Sequence, residues 1–110
     1  MRKLNNTKKV FAVDIDKTIT KSFNYKTFSD EEYIKVRPSK KMIDKVNALY
    51  DSGHIIVLNT ARGWISQMVT QQWLKKHGVK FHSLVMGKVL ADFYVDDKNM
   101  SFENFLKVKK

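Results

Sequence analysis

Residues 10–20 read VFAVDIDKTIT. An apolar run this short and continuous suits a strand buried on both faces, yet it ends on two aspartates, Asp14 and Asp16, spaced i and i+2. In extended chain those two positions point to the same side. Both carboxylates can therefore face one site while Ile15 anchors the backbone in the core. Paired acids at a strand end are unexpected in a chain with 21 Lys and Arg against 11 Asp and Glu, a net charge of +10.

Working outward, the same kind of strand recurs. HIIVLN (54–59) is apolar and runs into Thr60; HSLVM (82–86) is a third short strand; ADFYVDD (91–97) is a fourth, again ending on paired acids, Asp96 and Asp97. Helical patterns lie between them. Pro38 opens one whose apolar face is Met42, Ile43, Val46, Leu49 and Tyr50, with Gly53 as its stop. GWISQMVTQQWLKKHG (63–78) is another, with Ile65, Met68, Val69 and Trp73 on one stripe. NMSFENFLKV (99–108) is a last helix, capped by Asn99 or Ser101. Residues 18–36, rich in Thr, Tyr and Phe, read as a hairpin or irregular flap, and residues 1–9 as a polar lead-in. Trp73 is expected in the core; His54, His77 and His82 are scattered and receive no role.

Strands alternating with helices imply a single α/β domain over residues 1–110: a three-layer, Rossmann-like parallel sheet with helices on both faces. In such a sheet the strand C-termini share one edge, and ligands bind there. Asp14, Asp16, Thr60, Asp96 and Asp97 would all lie at that edge. Clustered carboxylates repel unless a cation sits among them, and oxygen-only donors suit Mg²⁺. Lys88, eight residues before Asp96, can reach over the same edge. A cation, a lysine and a hydroxyl around a carboxylate are what phosphoryl transfer requires. The alternative of a calcium loop starting at DIDKT fails. Its sixth position needs Gly and its twelfth Glu, and Ile19 and Tyr25 stand there.

These motifs resemble those of the haloacid dehalogenase (HAD) superfamily. DIDKT is similar to its first motif (DxDxT), IIVLNT to its second, and GKVLADFYVDD to its third and fourth, in order over residues 10–98. TARG together with ADFYVDDK further resembles short members associated with capsule or surface-polysaccharide synthesis. The resemblance implies a phosphatase. Asp14 would be the nucleophile that forms an aspartyl-phosphate, and Asp16 the general acid and base. Thr60 and Lys88 would hold phosphoryl oxygens. Mg²⁺ would be bound by Asp14, the main-chain carbonyl of Asp16 and Asp96, with Asp97 in support. Arg62 and Lys17 are assigned to substrate binding, a salt bridge to a nearby acid being the alternative for Arg62. Lys17 stands where many relatives have Gly, which implies either that the turn after Asp16 differs or that Lys17 lies near the substrate.

Only 41 residues separate Thr18 from Thr60 and 27 separate Thr60 from Lys88, so no cap domain fits and the site should be open. A phosphorylated small molecule, such as a sugar phosphate, is the expected substrate; an open site implies either a large substrate or a homo-oligomer whose neighbouring subunit covers the crevice. The charge of +10 also admits nucleic-acid ends or nucleotides as substrates. A non-catalytic HAD-like binding module is the third reading. With no cysteine, no leader-like apolar segment and no membrane span, a cytoplasmic location is expected.

Overall fold

The computed structural model describes residues 8–22 and 29–109. It is an α/β structure around a three-stranded parallel sheet in the order β1-β2-β3. The strands are β1 (Val10–Asp14), β2 (Ile55–Asn59) and β3 (Ser83–Val85). Register pairs Val13 with Leu58 and Asp14 with Asn59, then Leu58 with Leu84. This alignment brings the three C-terminal strand ends to a common edge.

Among the described residues four α-helices accompany the sheet: α1 (Asp30–Lys35), α2 (Lys40–Asp51), α3 (Gln67–Lys76) and α4 (Phe102–Leu106). Met42, Ile43, Val46 and Leu49 of α2 are buried, the face read from the sequence, and Gly53 takes the positive φ of 95° that ends the helix. Ile56, Leu58, Trp73 and Leu74 are fully enclosed. Burying one such side chain contributes about 1.5–3 kcal/mol. Trp73 also donates its indole N–H to the Val36 carbonyl at 2.9 Å, which ties α3 to the end of α1. Ser101 is the cap of α4, accepting from the Asn104 N–H at 3.1 Å.

Three expectations need correction. First, the stretch 18–36 is not wholly a flap, because α1 forms inside it. Ser29 caps this helix, accepting from the Glu32 N–H, and Asp30, Glu31 and Glu32 fill its first turn, where the helix dipole favours acids. Phe23, Tyr25 and Phe28 of the same stretch lie outside the described residues.

Second, the buried face of α3 is rotated. Ile65 is 94% exposed and Met68 72%, whereas Ser66, Thr70, Trp73 and Leu74 turn inward. Two of those inward residues are polar and bonded: Ser66 donates to Asp30 at 2.7 Å, and Thr70 to the Ser66 carbonyl at 2.8 Å.

Third, residues 91–97 do not form a strand, and residues 89–104 are exposed throughout. Local bonds compete with a ladder here. The Asp96 carboxylate accepts from the Lys98 N–H (2.6 Å), and the Asn99 side chain donates to the Tyr94 carbonyl (2.6 Å). The Tyr94 hydroxyl donates to the Val89 carbonyl. One edge of β1 therefore has no strand beside it among the described residues. No described helix is long and apolar enough to cross a membrane.

Candidate functional site

At the end of β1 the chain makes one wide turn, Ile15–Ile19, closed by the Thr20 N–H on the Ile15 carbonyl at 3.0 Å. Ile15 and Ile19 are fully buried and pin both ends of the turn. Lys17 sits at its apex with φ 62° and ψ 17°, the left-handed region that favours Gly. Its N–H donates to the Thr20 hydroxyl at 2.8 Å, which helps hold a conformation costly for a lysine. A lysine thus occupies a turn position whose dihedrals favour glycine.

The turn carries the two acids to different partners. Lys88 Nζ meets Asp14 Oδ1 at 2.7 Å. Lys88 is aimed there by its backbone: its N–H bonds the Thr60 carbonyl (2.9 Å), and the Gly87 N–H bonds the Arg62 carbonyl (2.8 Å). Gly87 makes this possible at φ 76°, with the Trp64 indole close behind it. Lys88 Nζ also lies 4.0 Å from the Tyr94 ring centroid. Asp14 and Lys88 are partly open to solvent, with side chains 41% and 28% exposed.

Asp16 is held more firmly. Arg62 Nε and Nη2 grip its two oxygens at 2.8–3.3 Å, and the Thr60 hydroxyl donates to Oδ2 at 3.2 Å. The remaining arm of the guanidinium donates to Thr70 at 3.0 Å, and its flat face lies 3.8 Å from the Tyr33 ring centroid. Burial, the main cause, raises the Tyr33 hydroxyl above its ordinary 10.0; Arg62 pulls the other way, and Asp16 adds to the rise. The Arg62 side chain is only 1% exposed. It is therefore not placed to greet a substrate anion, which corrects its assignment to substrate binding; the ion-pair alternative is the arrangement found.

A groove of about 590 Å³ runs from this edge along β1. Asp14, Thr18, Asn59 and Lys88 line its end, Val10–Asp14 one wall, and Tyr94, Asp96, Lys98 and Met100 the facing wall. Lys17 and Asp97 are exposed and line none of it. Of the acids proposed for Mg²⁺, then, Asp14 and Asp96 share the groove, the Asp16 carboxylate belongs to Arg62, and Asp97 stands apart. Among the described residues no group of three or more His, Asp or Glu is gathered for a metal ion. The expected fourfold acidic cluster is not assembled, because 91–97 has not joined the sheet. Two carboxylates in one groove still fit Mg²⁺, which commonly takes one or two plus water and a substrate phosphate.

Tyr33, Thr70 and Asn59 were not singled out from the sequence. Ser66 and Thr70, spaced i and i+4 on one helix, gave the legible signal: two hydroxyls whose face would need polar partners if turned inward.

No family model matches the chain, and neither does any curated protein. A crystal structure of a structural-genomics target from Vibrio cholerae is similar to it. The identity is 24% and the TM-score 0.74, over 92% of this chain and 89% of that one. At this identity the likeness shows the α/β fold alone.

Proposed function

We propose that the chain is a HAD-type phosphohydrolase that cleaves phosphate monoesters of small metabolites, on a three-layer, Rossmann-like (HAD-like) sheet with helices on both faces. The observation that carries this reading is the division of labour at the strand ends. Asp14 faces a groove with a lysine at 2.7 Å, while Asp16 is held two residues away by Arg62 and Thr60.

Asp14 Oδ attacks the phosphorus, and the bond to the ester oxygen breaks. The departing oxygen takes a proton from Asp16, which has to enter the cycle as the acid with one oxygen released from Arg62 and Thr60, leaving an aspartyl-phosphate on Asp14. Asp16 then accepts a proton from water as that water attacks the phosphorus. Inorganic phosphate leaves and Asp14 is regenerated. Lys88, which neutralises Asp14 at rest, moves its charge to the phosphoryl oxygens as they arrive. Asp14, Asp96 and the Asp16 carbonyl would hold Mg²⁺, which when bound neutralises phosphoryl charge.

The test is a panel of phosphate esters with and without Mg²⁺. The expected result is Mg²⁺-dependent phosphate release that falls by about 10³-fold or more in Asp14→Asn, since the covalent route is then closed. Wild-type protein releasing nothing from any ester would overturn the reading.

A further inference from the structure

Arg62 makes no use of its charge at the surface. Every arm of its guanidinium is taken up inside the protein, by Asp16 and Thr70, and its face by Tyr33. Tyr33 is 6% exposed and is carried by α1, not by the sheet. That helix is fastened to α3 at both ends, by Asp30 with Ser66 (2.7 Å) and by the Val36 carbonyl with Trp73 (2.9 Å). A chain of direct contacts thus runs from α1 through Tyr33 and Arg62 to Asp16.

We propose that Arg62 and Tyr33 are positioning residues: α1, by laying Tyr33 over the guanidinium, fixes the direction of the Asp16 carboxylate. A two-point grip from a planar fork sets both position and tilt of a carboxylate, which a lysine at the same place does not. The fork itself has a free rotation about its long stem, and the Tyr33 ring on one face with Thr70 on the third arm removes it. Undocking α1 would open the guanidinium to water and release Asp16 to rotate. The catalytic consequence rests on the phosphohydrolase reading; the linkage from α1 to Asp16 does not.

Two measurements on the full chain test it. The first follows the Arg62 Nε–H signal in ¹⁵N-labelled protein, assigned by its loss in Arg62→Lys. It should exchange slowly with solvent in wild type and in Tyr33→Phe, which keeps the ring. Exchange should be about tenfold faster in Tyr33→Leu. Ser66→Ala, which loosens α1 without touching Arg62, should show a smaller change in the same direction.

The second compares an alkyl phosphate with p-nitrophenyl phosphate, whose leaving group departs without a proton from Asp16. Arg62→Lys should lower kcat/KM for the alkyl ester by about 100-fold and Tyr33→Leu by about tenfold, with kcat/KM for the aryl ester little affected, because kcat/KM reports only the first half-reaction, before Asp16 serves as base toward water. Tyr33→Phe should restore the wild-type rate. Unchanged Arg62 exchange in both Tyr33→Leu and Ser66→Ala would overturn the linkage. Equal losses of kcat/KM on the two esters would overturn the positioning role. If wild type hydrolyses neither ester, the phosphohydrolase reading falls while the exchange comparison still decides the linkage.

Discussion

The two walls of the groove beside Asp14 are built on opposite principles. On one side, β1 and its turn are locked into the protein: Val13, Ile15 and Ile19 are buried, and Asp16, Thr60, Arg62, Thr70 and Tyr33 form one bonded cluster. On the other side, residues 89–104 are exposed, with Phe93 at 85% and Val95 at 93%, and their polar groups bond mainly to near neighbours in sequence. Long-range contacts fix the first wall and local contacts the second. The first should therefore resist change and the second tolerate it. The groove is also the boundary between the acids that find partners across the fold, Asp14 and Asp16, and those that do not, Asp96 and Asp97.

The sharpest way to break this contrast is to cut the buried cluster. Asp16→Ala leaves the Arg62 charge enclosed with only neutral partners. Removing one member of a buried pair costs 3–5 kcal/mol, and since the Asp16 side chain is 24% exposed the loss should sit near the low end, about 3 kcal/mol. Urea denaturation of wild type and variant measures it. A loss below about 1 kcal/mol would place the pair among ordinary surface ion pairs.

How much of this could be read from the chain differs between the walls for the same reason. Asp14, Asp16 and Thr60 were legible because each sits at or just beyond a strand end, and strand ends follow from apolar runs; Lys88 was legible from its spacing of eight residues before Asp96. The inward turn of Arg62 was not legible. It depends on Thr70 and Tyr33, which come from two other helices and only meet it in three dimensions. The α3 stripe misled for a related reason: apolar spacing picked Ile65 and Met68, but Thr70 turns inward as partner of the enclosed Arg62 and Ser66 as partner of Asp30. The run ADFYVDD has the composition of a strand, yet composition does not report that Asp96 and Asn99 can satisfy nearby backbone groups and hold a looped form.

A smaller effect sharpens the account of the first wall. Lys17 at φ 62° pays the steric cost of an L residue in the left-handed region, about 1–2 kcal/mol. Lys17→Gly removes that cost, but the freer unfolded chain takes back about 0.4–1 kcal/mol. The expected net gain is about 0.5–1 kcal/mol in urea, with the Thr20 bond kept because it uses the backbone N–H. Destabilisation by the same amount would mean that the lysine stem, not the turn geometry, governs this position.

The smallest expected effect tests the second wall. Val95 is 93% exposed, so Val95→Ser should change stability by no more than about 0.5 kcal/mol. The alternative arrangement has a definite signature. If residues 91–97 lay as a strand against the free edge of β1, one of the two side-chain faces would be enclosed. Val95 and Phe93, two residues apart, would share it. Burying a valine contributes about 1.5 kcal/mol or more, so its loss would be plainly measurable. Phe93→Ser, made in parallel, should be as silent as Val95→Ser, because Phe93 is 85% exposed. A loss above about 1 kcal/mol in both would show that this stretch packs against the sheet in solution and that Asp96 approaches the end of β1 with it. Silence in both would establish that the groove stays open along β1, and that the locked wall alone supplies the stability of the site.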